Sequence, residues 1–494
     1  MASLVTILDL LALLLFLYIV SLLIRRQTTS TVHDRLPPPP TVPSPIPWLG
    51  HAFMFMFYRK DLFSKCRARY GPTYRILLGG QHMVVVSSPK AVFDVLSKSP
   101  KVLGPPAAQQ LSTMTDIAPE RFPYVSQMSH QYFYTIATSG LAKANMGTMA
   151  LPMSRILFDQ LHKAMPAGAD AVTTSLEELV VRNFYVASAA SLFGTDEFHD
   201  TFEDFSILEH GSFYVLNGIP IVSRSATQAR KRLKERVMRY VRNAWDAEAI
   251  DKPDPESTII TRLLAVLKTT QLSLDETTDL INFCLWGFHS NFIRAAVCCV
   301  AFVVQDTAAC HDITQHIRKV IDNRWPDFQS LLEAEPNVVL DDPDFAILDS
   351  VILETLRLVS LPSSFRQVLS DTTLADDEGN EYLLQKGELV AVDVYGMHYD
   401  AALFPEPQSF KADRFVGAKT GLVKSLVPFG GGFLICRGRV YATYAIKMLL
   451  LQLFYLYDVT ASSKKWTLST NSITISDIMD HPPIHLRRRE KSEV

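Results

Sequence analysis

The chain has 494 residues, with 48 lysines and arginines against 51 aspartates and glutamates. This balance, a net charge of −3, excludes nucleic-acid binding driven by bulk charge. Apolar residues make up 48% and charged ones 20%, the composition of a folded globular protein rather than a disordered one. Six cysteines (Cys66, Cys284, Cys298, Cys299, Cys310, Cys436) with no CxxC pair exclude a disulfide framework and a zinc motif, and favour a reducing, cytosol-facing compartment.

Residues 4–24, "LVTILDLLALLLFLYIVSLLI", are apolar apart from Asp9 and match the ~20 residues a membrane helix needs. Arg25 and Arg26 follow and hold the C-terminal side in the cytosol by the positive-inside rule. A cleaved signal peptide is the competing reading, but the basic start and small-residue cleavage site are absent. Residues 1–26 are therefore expected to be an anchor and 27–49 a stiff proline-rich hinge, its proline-dense part lying in "RLPPPPTVPSPIPWLGH" (35–51).

Length alone suggests two or three domains, but no second linker, low-complexity block or internal repeat follows Leu49, so residues 50–494 read as one catalytic domain. "YRILLGGQHMVVVSS" (74–88) predicts a hairpin around Gly79 and Gly80. Helical periodicity then dominates to about Leu358, including the basic amphipathic stretch 225–248. Strand-like residues return at 387–395, and 438–457 reads as a long apolar helix. The fold class is mainly α with a small β-sheet region.

Three constellations carry chemistry. In "VILETLRLVS" (351–360), Glu354 and Arg357 are three apart and share a helix face. Alone such a pair is commonplace on surface helices, but Arg414 in "FPEPQSFKADRF" (404–415) completes a buried Arg–Glu–Arg cluster if it reaches Glu354. The third is "PFGGGFLICRGR" (428–439). Cys436 stands before a helix, where backbone N–H groups favour a thiolate and hence a metal ligand; a buried inert cysteine is the other reading. Gly430, Gly431 and Gly432 are expected to let the loop pass beneath a large flat group, and Gly438 to let amides approach the sulfur.

In this order, the anchor, hinge, E-x-x-R, "FPEPQSFKADRF" and F-x-x-G-x-x-x-C-x-G (Phe429, Gly432, Cys436, Gly438) resemble the cytochrome P450 family over nearly the whole chain. The resemblance implies that family's helical fold and a haem b with Cys436 as axial thiolate, a ligand that favours O–O cleavage. "PWLGHAF" (47–53) and "LWGFHSNF" (285–292) look most like the branch of sterol 7α-hydroxylases and prostacyclin synthases. It also implies a single-pass endoplasmic reticulum protein with a cytosolic catalytic domain, fed electrons from NADPH by NADPH–cytochrome P450 reductase.

Departures from the family pattern are as informative. Leu434 stands where an Arg or His usually meets a haem propionate, and W-x-x-x-R is absent at all five tryptophans. Arg366 matches a position used for that contact in relatives. The acid–threonine pair of the distal helix reads Asn291-Phe292, and neither residue is an acid. Asn291, His289 and Ser290 are the polar candidates there, with His289 a relay candidate because its ordinary pKa is near neutral. A satisfied core histidine is the alternative. The resemblance places Phe288, Phe292, Leu361, Pro362, Phe365, Ile478 and Met479 around the substrate, implying a bulky lipophilic ligand such as a terpenoid, steroid or polyketide. The expected activity is a monooxygenase of secondary or lipid metabolism. The alternative, drawn from Asn291-Phe292, is an isomerase or lyase needing neither O₂ nor NADPH; a non-catalytic haem protein is the third class.

Overall fold

Ser273 opens the long helix Leu274–Gln305 with a capping box: its hydroxyl accepts the Glu276 N–H (3.1 Å), and Glu276 accepts the Ser273 N–H (2.8 Å). Arg121 grips the same carboxylate at 2.7 Å and helps hold its pKa down to about 2. This central helix has buried residues on all its faces, because other helices surround it. It is the one described helix long and apolar enough to cross a membrane, and its burial identifies it as a core helix. A computed structural model describes residues 36–105, 113–219, 221–247, 257–361, 364–418, 420–462, 466–469, 474–479 and 483–489. The apolar segment 4–24 and Pro362 lie outside the described residues.

The chain divides into two compact units. The larger (107–361, 398–429, 435–494) contains the central helix, the helix Ala346–Val359 that carries E-x-x-R, and the cysteine helix Arg439–Leu456. It also holds an antiparallel sheet ordered Ala171–Ser175, Pro483–Arg488, Tyr457–Ala461, and the strand pair Thr467–Ser469 with Asp477–Met479. Gly438 caps the cysteine helix, whose apolar run is buried along almost its whole length.

The smaller unit (1–106, 362–397, 430–434) is built on a five-stranded sheet ordered Thr73–Leu78, Gln81–Val86, Leu389–Val392, Ser364–Val368, Leu103–Gly104. The expected hairpin is present: Leu78 faces Gln81, and Gly79 and Gly80 both have positive φ (55° and 83°), as a two-residue type I′ turn requires. The proline-rich stretch has no regular element from Leu36 to Pro40, but it is docked. The Pro40 carbonyl accepts the Arg75 N–H, Val42 N–H donates to the Arg75 carbonyl, and Pro37 accepts from Leu383.

Candidate active site

The E-x-x-R residues meet as the sequence predicts. Glu354 and Arg357 are wholly buried, joined by two parallel bonds of 2.7 and 2.9 Å, and Arg414 reaches the same carboxylate at 2.8 Å. A further bond from the Lys411 N–H (3.1 Å) fills the remaining acceptor site of Glu354. Arg357 has five N–H groups and five acceptors: both Glu354 oxygens and the carbonyls of His398, Pro407 and Ser409. Only a guanidinium offers that fork. Arg414 adds bonds to the Pro405, Glu406 and Ser409 carbonyls, so the cluster pins the chain from 405 to 414 onto the helix.

His398 was not singled out by its sequence, yet it joins this cluster. Its Nδ1 donates to the Arg357 carbonyl (3.3 Å), and its Nε2 accepts the Val427 N–H (3.2 Å), just before the cysteine loop. Burial, reinforced by the Arg357 charge, lowers its pKa to about 3, so it is neutral and this tautomer is fixed.

The cysteine loop closes with the Cys436 N–H donating to the Phe429 carbonyl at 2.9 Å. Cys436 is the one exposed cysteine among the described residues. Burial by surrounding protein nonetheless raises its pKa, against the N–H groups of Gly438 and Arg439 and the charges of Arg439 and Arg437, which lower it. The direction corrects the expectation that the helix start alone makes a thiolate: the donors are in place, but burial outweighs them, and a cation at the sulfur is what would ionise it.

The glycines also meet protein closely. Gly432 (φ 61°) lies on the backbone of Leu96, whose carbonyl any Cβ would strike, and a Cβ at Gly431 would come within 2.8 Å of the Leu96 side chain. Close approach to Leu96 by itself demands these two glycines. Gly438 has ordinary φ, and a Cβ there meets Leu141 and the Cys436 sulfur only at 3.8 and 3.9 Å. Gly432→Ala is therefore expected to cost about 1–2 kcal/mol from the left-handed backbone alone, and more from the Leu96 clash. A thermal melt should show a clear drop, whereas Gly438→Ala should be milder.

Arg366 is 2% exposed and donates to the Gly431 carbonyl (3.2 Å), to Ser364 Oγ (3.3 Å) and to the Phe365 carbonyl (2.9 Å), with its guanidinium over the Phe433 ring. It thus orients the cysteine loop. Successive side chains on a strand point to opposite faces, so Phe365 turns the other way and packs against Phe55 (6.1 Å between rings) and Arg59. Phe365 is half-buried against the small apolar cluster beneath the sheet.

On the central helix the expected residues fall on three faces. His289 is fully buried between Tyr185 and Phe205 (5.0 and 5.7 Å), and its Nδ1 donates to the Leu285 carbonyl one turn back at 2.7 Å. Burial lowers its pKa to about 4. It is a core histidine, neutral at physiological pH, whose Nε2 is buried with no hydrogen-bond partner among the described residues. Ser290 turns to Glu209, whose buried carboxylate also takes the Trp286 N–H (2.7 Å) and Arg294 (2.8 Å). Phe288 and Phe292 lie against Tyr441 of the cysteine helix (5.5 and 5.9 Å), and Phe292 against Phe184 (4.6 Å). Phe292 is buried packing between three helices rather than a pocket wall.

The open face is Gly287 and Asn291, one turn apart. A Cβ at Gly287 would meet nothing within 4 Å, and Asn291 is half-buried, its Oδ1 accepting from the hydroxyl of Thr474. Neither Gly287 nor Thr474 was picked out beforehand, although a glycine within an apolar helix is a legible signal. Leu361 is buried, its N–H bonded to the Thr474 carbonyl (2.8 Å). Ile478 turns into the core at 4% exposure, while Met479 is 50% exposed, the alternation of a strand.

The family model described as Cytochrome P450 matches residues 38–483. The 24-hydroxycholesterol 7-alpha-hydroxylase of Homo sapiens is 25% identical over 439 residues, covering 85% of this chain and 87% of that relative. The 5-beta-cholestane-3-alpha,7-alpha-diol 12-alpha-hydroxylase of Sus scrofa is 26% identical over 454 residues (85% and 86%). Prostacyclin synthase of Rattus norvegicus is 23% identical over 502 residues (91% and 94%). Among solved structures, the retinoic acid-bound cyanobacterial CYP120A1 superposes with a TM-score of 0.69 at 20% identity, over 92% of this chain and 100% of that one, a likeness of fold.

Proposed function

Because the chain belongs to the cytochrome P450 family, we propose that it is a membrane-bound haem-thiolate monooxygenase acting on a steroid-like lipophilic substrate. Two relatives are named as hydroxylases of cholesterol- or cholestane-derived sterols, which narrows the lipophilic class to that shape. The observation that carries the reading is Cys436, an exposed but desolvated thiol approached by the N–H groups of Gly438 and Arg439.

These residues fit haem b: an exposed thiol, amide donors that stabilise its anionic form, and a loop whose backbone is held by Leu96 and Arg366. Cys436 would hold the iron, and Arg366 would meet a propionate in this reading. When bound, the haem supplies O₂ activation, with electrons from NADPH by way of a reductase. In this reading residues 4–24 anchor the protein in the endoplasmic reticulum membrane, with 50–494 as its catalytic domain in the cytosol.

The chain's own distal contribution is positional. Asn291 keeps its Oδ1 on Thr474 and retains two N–H donors, which can orient a substrate oxygen but cannot supply a titrating proton. Glu209, the buried acid bonded to this helix, is held by Trp286, Ser290 and Arg294 on a different face from Asn291. With no titrating side chain bonded to Asn291 among the described residues, this reading has water or a substrate hydroxyl carry the proton.

That same absence of a titrating group beside Asn291 favours a second reading, an isomerase or lyase, and one relative is named as a synthase. Membranes carrying the full chain and a reductase, given sterol substrates with and without NADPH under heavy-isotope O₂, separate the two. The monooxygenase yields NADPH-dependent product containing one heavy oxygen. Product formed equally without NADPH, at unshifted mass, would sink that reading and establish the rearrangement.

A further inference from the structure

Arg437, the residue after Cys436, places its guanidinium over the ring of Tyr134, 5.1 Å from the centroid. Tyr134 is half-buried, and the exposed His130 ring lies 4.6 Å from it. Both belong to a helix over residues 122–140, which is α-helical over Phe122–Met128, π-helical over Ser129–Phe133 and α-helical again over Tyr134–Gly140. Its end packs on the start of the cysteine helix: a Cβ at Gly438 would stand 3.8 Å from the side chain of Leu141, the residue that caps it.

The π turn explains why the two rings meet. Its backbone bonds reach the fifth residue, so a turn holds more residues than an α turn and positions four apart come nearly into line. His130 and Tyr134 are four apart across it. Such turns are rare and frequently mark functional sites. Packing of an arginine on a tyrosine would need neither the π turn nor a histidine beside it. Together the three side chains gather a guanidinium, a phenol O–H and an imidazole N–H next to Cys436. Stacking engages the flat face of a guanidinium, whereas its donors lie in its plane, the arrangement that takes a carboxylate in two parallel bonds.

We propose that His130, Tyr134 and Arg437 form a carboxylate site that receives a haem propionate. Haem b brings two such carboxylates. In the reading above, on which this proposal rests, Arg366 meets one. Arg437 is near enough to the Cys436 sulfur for its charge to favour the thiolate, so a group held by that sulfur comes within reach of the cluster. The chain has no W-x-x-x-R, and Leu434 stands where a basic residue is usual. Here the cation comes from the cysteine loop itself, and the helix supplies the two other donors through H-x-x-x-Y at 130–134.

The test uses the full chain loaded with haem b. It reads haem release to excess apomyoglobin, together with the propionate bending band in the resonance Raman spectrum. Tyr134→Phe and His130→Phe each remove a donor and keep a ring, and each should speed release about threefold to tenfold. Arg437→Gln loses a charge-assisted bond and should speed it about tenfold or more. All three should shift the propionate band, while the red-shifted Soret band of the reduced carbon monoxide complex stays in place. Release at the wild-type rate with an unmoved propionate band would overturn the cluster and leave Cys436 as the ligand. Faster release with an unmoved propionate band would reduce the three residues to support of the helix, and the proposal would fall. A wild-type chain without the red-shifted Soret band would take down the haem-thiolate reading and this one together.

Discussion

Replacing Cys436 by serine should abolish the red-shifted Soret band of the reduced carbon monoxide complex. That band reports a thiolate on the iron, and no other cysteine can take over: Cys66, Cys284, Cys298, Cys299 and Cys310 are all buried. Burial pushes the thiols of Cys284 and Cys299 up to about 12, so neither is a thiolate at neutral pH. Serine nearly matches cysteine in size, and the Cys436 N–H to Phe429 bond is made by backbone, so the loop should keep its closure. Turnover should fall below detection while the far-ultraviolet circular dichroism stays that of the wild type. A mutant that kept the red-shifted band would remove Cys436 from its assigned role.

The second large effect is expected at Glu354. Its loss leaves Arg357 and Arg414 facing one another, 0% and 7% exposed at their side chains, with no anion between them. Removing one partner of a buried pair costs about 3–5 kcal/mol, a large share of the ~5–15 kcal/mol that holds a domain together. Glu354→Ala should give little soluble protein and no bound haem. Arg357→Lys separates charge from geometry, since lysine keeps the charge but has three donors for five acceptors. It should fold poorly too, with a lowered melting temperature and reduced haem content. A wild-type melt and haem content for Arg357→Lys would show that charge alone suffices.

Much of this site was legible because its parts are local. The E-x-x-R spacing put Glu354 and Arg357 on one face, the paired glycines set the hairpin, and the cysteine motif lies within a short run. What was not legible is the set of contacts with residues far away in the chain. Nothing near Gly432 says that Leu96 will sit under it, and nothing near His289 says that Tyr185 and Phe205 will enclose it. Phe365 is easier: strand alternation turns it to the face opposite Arg366. The central helix was recognisable as a helix, but its rotation was not. A helix buried on all sides gives no amphipathic stripe from which to tell Asn291's face from Phe292's.

The five acceptors of Arg357 also set an order of events during synthesis. Glu354 leaves the ribosome 60 residues ahead of Arg414, an interval of roughly 3–12 s at ~5–20 residues per second. Until the carbonyls of His398, Pro407 and Ser409 arrive, three of the five Arg357 N–H groups have no replacement for their water and the helix has reason to stay open. The support of the cysteine loop therefore sets late, when most of the chain already exists. A nascent chain stalled before Arg414 is a nearly complete protein with an unfinished interior, the kind of intermediate that calls for a chaperone.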